Sequence, residues 1–344
     1  MSTPVVTLVV PCYNEEAVLP HTMKVLEHYL QELTNDGVIS DKSRLLFVDD
    51  GSKDETWKLI YKASLNTDRI RGLKLAGNAG HQNALLAGLF AAKSVSDCVI
   101  SLDADLQDDI TVIRQFIEKF NEGNEIVYGV RRKRDTDTLF KRKTAEGFYK
   151  IMAKMGVDLV YNHADYRLMS RRALEELERF DEANLFLRGI VPLIGFTSTY
   201  VYYDRQERTA GETKYPLKKM LSFAFNGITS FSITPIRIVL LTGCAFFFVS
   251  LFVLSYFLVL KYVGETEIGW TSLIISIWLI GGLQLMAIGL IGEYIGKVYQ
   301  ETKRRPKYII DMDLLNLGIP EHMKEGIPEK ETLIANSLSE LNGN

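Results

Sequence analysis

The sequence predicts an α/β domain built on a mostly parallel sheet with helices on both faces, followed by a hairpin of two transmembrane helices. Three observations lead there. From Val5 to about Gln206, short β-branched runs alternate with helix-length stretches. The polar motifs "PCYNEE", "DDGSKDET" and "DADLQDD" each follow an apolar run. Two long apolar stretches lie near the C-terminus.

"VVTLVV" is Val-rich and strand-length, and nothing before it resembles a basic n-region or a cleavage site, so it reads as a buried first strand rather than a signal peptide. "EEAVLPHTMKVLEHYLQEL" is the first helix and "RLLFVDD" the second strand. "DETWKLIYKAS", "IRGLKLA" and "HQNALLAGLFAAKS" continue the alternation as helix, strand and helix. "CVISLDAD" and "EIVYGV" are further strands, and Asp108 or Asp109 stands where the helix "ITVIRQFIEKF" needs an N-cap. Ligands of such sheets bind at the C-terminal strand ends, where all three polar motifs fall.

At 344 residues the chain has room for one large domain and an addition. Its 47% hydrophobic and 24% charged residues are ordinary for a soluble protein, so the membrane signal lies in how the apolar residues are distributed. Spans at about 236–260 and 270–293 are each long enough, at about 1.5 Å per residue, to cross a hydrocarbon core of about 30 Å. Lys218, Lys219 and Arg237 precede the first, while Lys297, Lys303, Arg304, Arg305 and Lys307 follow the second. The short connection between them carries one Lys, so the positive flanks place the large domain in the cytoplasm. Tyr262 and Trp270 fall at the far interface. "PLKKMLSFAFNGITSFSITP" reads as an amphipathic helix lying on the membrane. The expected divisions are a catalytic domain at 1–215, an interfacial helix at 216–234, two spans within 235–297, and a cytoplasmic tail at 298–344 that is polar and partly ordered at most after Asp311.

A net charge of −3 gives no basic field for nucleic acid. Cys12, Cys98 and Cys244 are isolated, without zinc or disulfide spacing, which fits a reducing cytoplasm.

Asp103, Asp105 and Gln107 recur every second residue beyond a strand, and close carboxylates repel unless a cation lies between them. That spacing points to a metal. "GVRRKRDTDTLFKRK" concentrates Arg131, Arg132, Arg134, Lys141 and Arg142, a seat for phosphate, with Arg132 and Lys133 read as solvated. Two Gly in "GNAGHQNALLAGL" suit a tight turn or close approach to phosphate, and His81 reads as a contact at the helix start rather than a metal ligand. Asp165 beside Arg167 reads either as a buried ion pair or as a functional carboxylate.

Taken in order, "VVPCYNEE", "FVDDGSKDET", "GHQNALLAGL", "SLDADLQD", "YGVRRKRD", "ADYRLMSRRAL" and "AGETKYPLKKML", followed by two spans, resemble family-2 glycosyltransferases of GT-A (Rossmann-like) fold that act on polyprenyl phosphates. Bacterial undecaprenyl-phosphate glucosyltransferases and dolichol-phosphate mannose synthases are the kinds it resembles. The resemblance implies a divalent metal, Mg²⁺ or Mn²⁺, on Asp103, Asp105 and Gln107. It implies nucleotide-sugar binding by Pro11, Tyr13, Asn14, Glu15, Asp49, Asp50 and Asp103, without saying which of the paired Asp meets the base. It implies lipid-phosphate binding by Arg131, Arg134 and Arg142, and catalytic parts for Asp105, Asp165 and Lys214. Asp165 would orient a hydroxyl or act as base, and Lys214 would close over the diphosphate as a lid. Thr213 stands where many relatives have Ser.

A lipid phosphate is already largely ionised at pH 7, so what the reaction needs is a cationic seat and no Ser, Cys or His nucleophile. The Gln-x-x-Arg-Trp string of processive synthases does not occur, and "NLFLRGIVPLIGF" occupies its region, so one sugar is expected per transfer. The implied reaction is inverting transfer of a hexose, with UDP-glucose as the expected donor, to undecaprenyl phosphate on the cytoplasmic membrane face. N-acetylglucosamine, mannose, a 4-amino-arabinose derivative, or a non-catalytic scaffold or flippase helper are the alternatives. Relatives that form tetramers imply a homo-oligomer.

Overall fold

The computed structural model describes residues 3–132, 163–182, 187–204, 234–263 and 270–316. The five strands expected from the alternation are β1 (Val6–Cys12), β2 (Arg44–Asp49), β3 (Ile70–Leu75), β4 (Cys98–Ser101) and β5 (Ile126–Arg131). Three more join them: β6 (His163–Ser170), β7 (Ser198–Tyr203) and β8 (Ile310–Asp313). One sheet results, in the order β7-β5-β6-β4-β1-β2-β3-β8. Its pairings are parallel except those of β6 with β4 and β5 and that of β8 with β3. The sheet is therefore mostly parallel, as expected, with one reversed strand inside and one at an edge.

The helices are α1 (Leu19–Asn35), α2 (Thr56–Asn66), α3 (His81–Lys93), α4 (Ile113–Asn121), α5 (Arg171–Glu178), α6 (Leu187–Leu193), α7 (Thr234–Val263) and α8 (Trp270–Lys303). Every residue of β1 is buried, which explains why it reads as an unbroken apolar run rather than an alternating one. Leu8 and Val10 face a core shared with Leu26 and Leu30 of α1, Ile60 of α2 and Phe116 of α4. Val9 faces the opposite core with Leu85 and Leu89 of α3, Leu174 of α5 and Ile190 of α6. Each such side chain contributes about 1.5–3 kcal/mol on full burial.

Within α3, Gly88 lets the helix lie directly on the sheet: a Cβ there would fall 2.4 Å from Val9 Cγ1 and 2.6 Å from Val48 Cγ2. This close approach sets the height of the helix whose first residue, His81, reaches the site.

The reversed strand β6 does the most to assemble that site. Ser101 at the end of β4 lies opposite Arg167, and Val130 near the end of β5 lies opposite His163. The start of β6 therefore sits beside the finish of β4 and β5. Local sequence does not encode strand direction, and the alternation alone could not supply it.

Tyr203 ends β7 at the same end of the sheet, because β7 runs parallel to β5. Ile310 begins β8 opposite Leu75, the last residue of β3. The chain thus departs toward α7 and returns from α8 at opposite edges of the sheet but at one end of it. Among the described residues, Leu279–Lys303 is long and apolar enough to cross a membrane, and Thr234–Ala245 is a shorter apolar helical stretch. Helix α8 overruns the expected limit of 293 because nothing in "GEYIGKVYQETK" breaks it. Arg304, in the left-handed region at φ 45°, ends it just before Pro306.

The start of the expected tail is ordered. Residues 298–303 are helical and Ile310–Asp313 pairs with β3, since Leu314 finds a buried place (1% exposed) beneath the sheet edge. The expected interfacial helix at 216–234 lies outside the described residues apart from Thr234, which begins α7.

Gly88→Ala should lower stability by about 1–3 kcal/mol through overpacking against Val9 and Val48. A fall in the thermal unfolding midpoint of the detergent-purified protein checks this, and an unchanged midpoint would mean that α3 has room to rise.

Candidate active site

Strand order reverses at β1, whose neighbours β2 and β4 lead the chain in opposite directions, and the crevice between the ends of β1 and β4 is the natural ligand site. The loop after each strand contains a residue in the left-handed region, Asn14 (φ 54°) and Leu106 (φ 50°). Asn tolerates this conformation, whereas for Leu it costs about 1–2 kcal/mol. At Leu106 the turn brings the Asp105 carboxylate back to accept from the Gln107 N–H at 3.2 Å.

The loops after β1 and β2 are tied together. Asn14 N–H donates to Ser52 Oγ (3.0 Å), Lys53 N–H to Asn14 Oδ1 (2.9 Å) and Glu15 N–H to Thr56 Oγ1 (2.9 Å). Asp54 accepts from Thr56 N–H, as a turn before a helix requires, while Ser52 serves the neighbouring loop. Tyr13 is 42% exposed at the rim and Pro11 is buried in β1.

Asp49 and Asp50, expected at the nucleotide, lie under these loops at 0% and 2% exposed. Asp50 accepts from the N–H groups of Ala79 (2.7 Å) and Gly80 (3.0 Å), and Asp49 Oδ1 from Ser52 N–H (3.2 Å). Burial raises both carboxyls above their ordinary range. Asp49 Oδ2 is a buried oxygen with no hydrogen-bond partner among the described residues. In this structure the pair shapes the loops, and Tyr13, Asn14 and Glu15 furnish the accessible surface.

Three carboxylates, Asp103 and Asp108 from the loop after β4 and Asp165 from β6, lie at this end of the sheet. Asp108, 5% exposed at its side chain, is held by Arg131 Nη2 at 3.1 Å and by the Tyr203 hydroxyl, which donates to it at 2.5 Å. Arg131 also donates through Nε to Tyr203 at 3.2 Å. Burial opposes the Arg131 charge, but Asp108 and Tyr203 overcome it and the guanidinium is held cationic.

Asp165 is held by Arg167 Nη2 at 2.7 Å and by Arg188, whose Nε and Nη2 lie at 3.3 and 3.2 Å. Burial alone would raise its carboxyl, yet Arg188 and Arg167 bring it below the usual carboxylate range. Such a group is a weak base and a strong positioning charge. The ion-pair reading of Asp165 and Arg167 is thus realised, with Arg188 as a second partner.

Asp103 differs from both. Among the described residues its ion-pair partner is the His81 imidazole, Nε2 to Oδ1 3.7 Å, and its side chain is 42% exposed. Desolvation by the protein around it pushes its pKa up to about 6, with Asp108, Asp165 and Asp105 adding to the rise and His81 opposing it. The surplus negative charge of the site is concentrated here.

Among the described residues no three His, Cys, Asp or Glu side chains converge on one point as a complete metal centre. The hard oxygen donors of Asp103 and Asp105 nevertheless fit a divalent cation, because the carboxylate crowding at Asp103 is the kind such an ion relieves. Gln107 is 5% exposed and lies beneath the same loop. Lys214, Arg134 and Arg142 lie outside the described residues.

Sequence reasoning missed Asp108 as the anchor of Arg131, Tyr203 as their shared partner, and Arg188 as the second hold on Asp165. Arg188 had one signal, its place in "NLFLRG" where processive synthases carry their Arg motif. Asp108 and Tyr203 had none.

Residues 7–178 match the pattern of Glycosyl transferase family 2. The chain is 62% identical over 332 residues to the uncharacterized glycosyltransferase YkoT of Bacillus subtilis (strain 168), covering 96% of this chain and 98% of that one. It is 40% identical over 308 residues to the prophage bactoprenol glucosyl transferase homolog of Escherichia coli (strain K12), covering 89% and 98%. It is also 40% identical over 307 residues to the bactoprenol glucosyl transferase of Shigella phage SfV, covering 89% and 97%.

A carboxyl whose pKa rises on folding binds its proton more tightly in the folded state, so it removes stability as pH increases from its unfolded value toward its folded one. For Asp103 that window runs from about 4, the ordinary Asp value, to about 6. Asp103→Asn should therefore raise the melting midpoint at pH 7 in chelator and flatten its decline across that window. Melts of both proteins in EDTA from pH 4 to 7.5 check this, and parallel pH curves would show that Asp103 carries no surplus charge.

Proposed function

As the chain belongs to glycosyl transferase family 2, we propose that it transfers a hexose, with glucose from UDP-glucose as the favoured donor, to the phosphate of undecaprenyl phosphate at the cytoplasmic face of a membrane. The observation that carries this reading is the meeting, at one end of the sheet, of surplus carboxylate at Asp103 and a fixed guanidinium at Arg131, with both connections to the long apolar helices departing from that end. The names of the relatives at 40% identity support the lipid and the sugar.

Two anionic reactants must be brought together, and the residues divide that work. Tyr13, Asn14 and Glu15, on a loop braced by Asp49 and Asp50, receive the nucleoside. Asp103 and Asp105, with Gln107, would hold Mg²⁺ or Mn²⁺, which when bound supplies charge neutralisation for the departing diphosphate. Arg131 keeps N–H donors beyond the two directed at Tyr203 and Asp108, and these suit an anionic phosphate oxygen. Arg134 and Arg142 are proposed to extend that seat, and Lys214 to close over the diphosphate.

The phosphate oxygen attacks the anomeric carbon as the bond to the diphosphate oxygen breaks on the opposite side, so configuration inverts. No proton needs to be removed from an already ionised phosphate, which agrees with an Asp165 too acidic to serve as base. Asp165 instead holds a fixed negative charge and orients Arg188 beside the sugar site. Helices α7 and α8 are proposed to cross the bilayer as a pair and to keep the enzyme with its lipid. A homo-oligomer, a tetramer, is compatible with this arrangement.

The decisive experiment incubates purified protein with Mn²⁺, undecaprenyl phosphate and radiolabelled UDP-glucose, UDP-N-acetylglucosamine or GDP-mannose, and then extracts lipid. Label entering lipid from UDP-glucose supports the proposal, label from another donor alone replaces the sugar, and none from any donor rejects the reaction. Asp105→Ala should reduce transfer by about 10³-fold or more. Arg131→Ala should raise the KM for undecaprenyl phosphate by about ten-fold or more, with a smaller effect on the KM for nucleotide sugar.

A further inference from the structure

The chain does not end its structural work at the second long helix. After Arg304 turns it, Lys307 donates to the Phe180 carbonyl (3.1 Å) and faces Asp181 at 3.4 Å. Strand β8 then pairs with β3, Asp311 Oδ2 meets Lys74 Nζ at 2.7 Å, and Leu314 N–H donates to the Gly72 carbonyl at 2.9 Å. Leu314 is buried, and Asn316 reaches the Ala91 carbonyl near the end of α3.

The consequence falls on the short loop at 76–80, which links β3 to α3. Its first amide, Ala76 N–H, donates to the Ile309 carbonyl at 2.9 Å. Its last two, Ala79 and Gly80, are held by Asp50. Between them Gly77 presses so closely on Gly51 that a Cβ on Gly51 would lie 2.6 Å from the Gly77 carbonyl carbon. Immediately after the loop comes His81, facing Asp103. One of the three amide pins on this loop thus comes from the segment that follows α8.

We propose that residues 307–316 form a strap that positions the nucleotide-sugar site, fixing the loop at 76–80 through Ile309 and the Asp311–Lys74 pair and so tying donor binding to the second long helix. The proposal rests on the glycosyltransferase reading for its ligand, and on geometry alone for the strap. Asp311 is a positioning residue, since it acts through Lys74 and the loop and touches no reacting group. Burial raises the Asp49 carboxyl and Lys74 opposes that rise, so the same ammonium links the strap to the base of the nucleotide loops.

The test uses full-length protein in phospholipid nanodiscs, comparing wild type, Asp311→Ala, Asp311→Glu and Leu314→Asp. Hydrogen exchange at the amides of Ala76, Ala79 and Gly80 should accelerate by about three-fold in Asp311→Ala, the scale of a partly exposed ion pair, and by about ten-fold or more in Leu314→Asp. Exchange in β1 should stay as in wild type. With the active donor sugar, Asp311→Ala should raise KM about three-fold at nearly constant kcat, and Asp311→Glu should restore it. Unchanged loop exchange in both disrupting variants overturns the strap, as does a loss confined to kcat. Should no nucleotide sugar turn over even in wild type, the functional reading fails while the exchange measurement still decides the strap.

Discussion

Carboxylates cannot be gathered at the end of a sheet unless something balances them, and the way this protein distributes that balance organises the site. Asp108 and Asp165 each receive guanidinium partners, Arg131 for one and Arg167 with Arg188 for the other. Asp103 receives, among the described residues, an imidazole at 3.7 Å and no guanidinium. Two of the three acids are thereby fixed as architecture and the third is left electrically hungry at the mouth of the crevice. The arrangement depends on strand direction, since a parallel β6 would carry Asp165 and Arg167 to the far end of the sheet.

The same economy appears at Asp49 and Asp50. This pair of acids is buried and bonded to Ser52, Ala79 and Gly80, so it underpins the loops beyond β2 and β3. Stiff loops lose little freedom when a ligand arrives, which is the general gain of such bracing. Asn14 and Leu106, both in the left-handed region, show the backbone cost accepted at the two lips of this crevice.

Sequence made the parallel half of the fold legible because β1 to β5 are short, apolar and regularly separated by helices. The acidic motif after β4 was legible too, since its two-residue spacing exceeds what helix capping explains. What escaped were features whose cause is long-range. "HADYRLMS" alternates passably as a strand, but its reversed direction depends on pairing with β4 and β5. Ile310–Asp313 looks like polar tail until the exposed edge of β3 is there to receive it. Arg131 was singled out by its basic surroundings and by the family resemblance, whereas its anchors Asp108 and Tyr203 lie in other segments and become visible only when the strands are assembled. Arg134, Arg142 and Lys214 lie beyond the described residues.

The pairing of Ser101 with Arg167 fixes more than a strand border. Asp165 and Arg167 stand two residues apart on β6, so one register carries both to the same face. A slip of that strand by a single residue would turn the pair away together. The ladder of backbone bonds is thus what aims the charge.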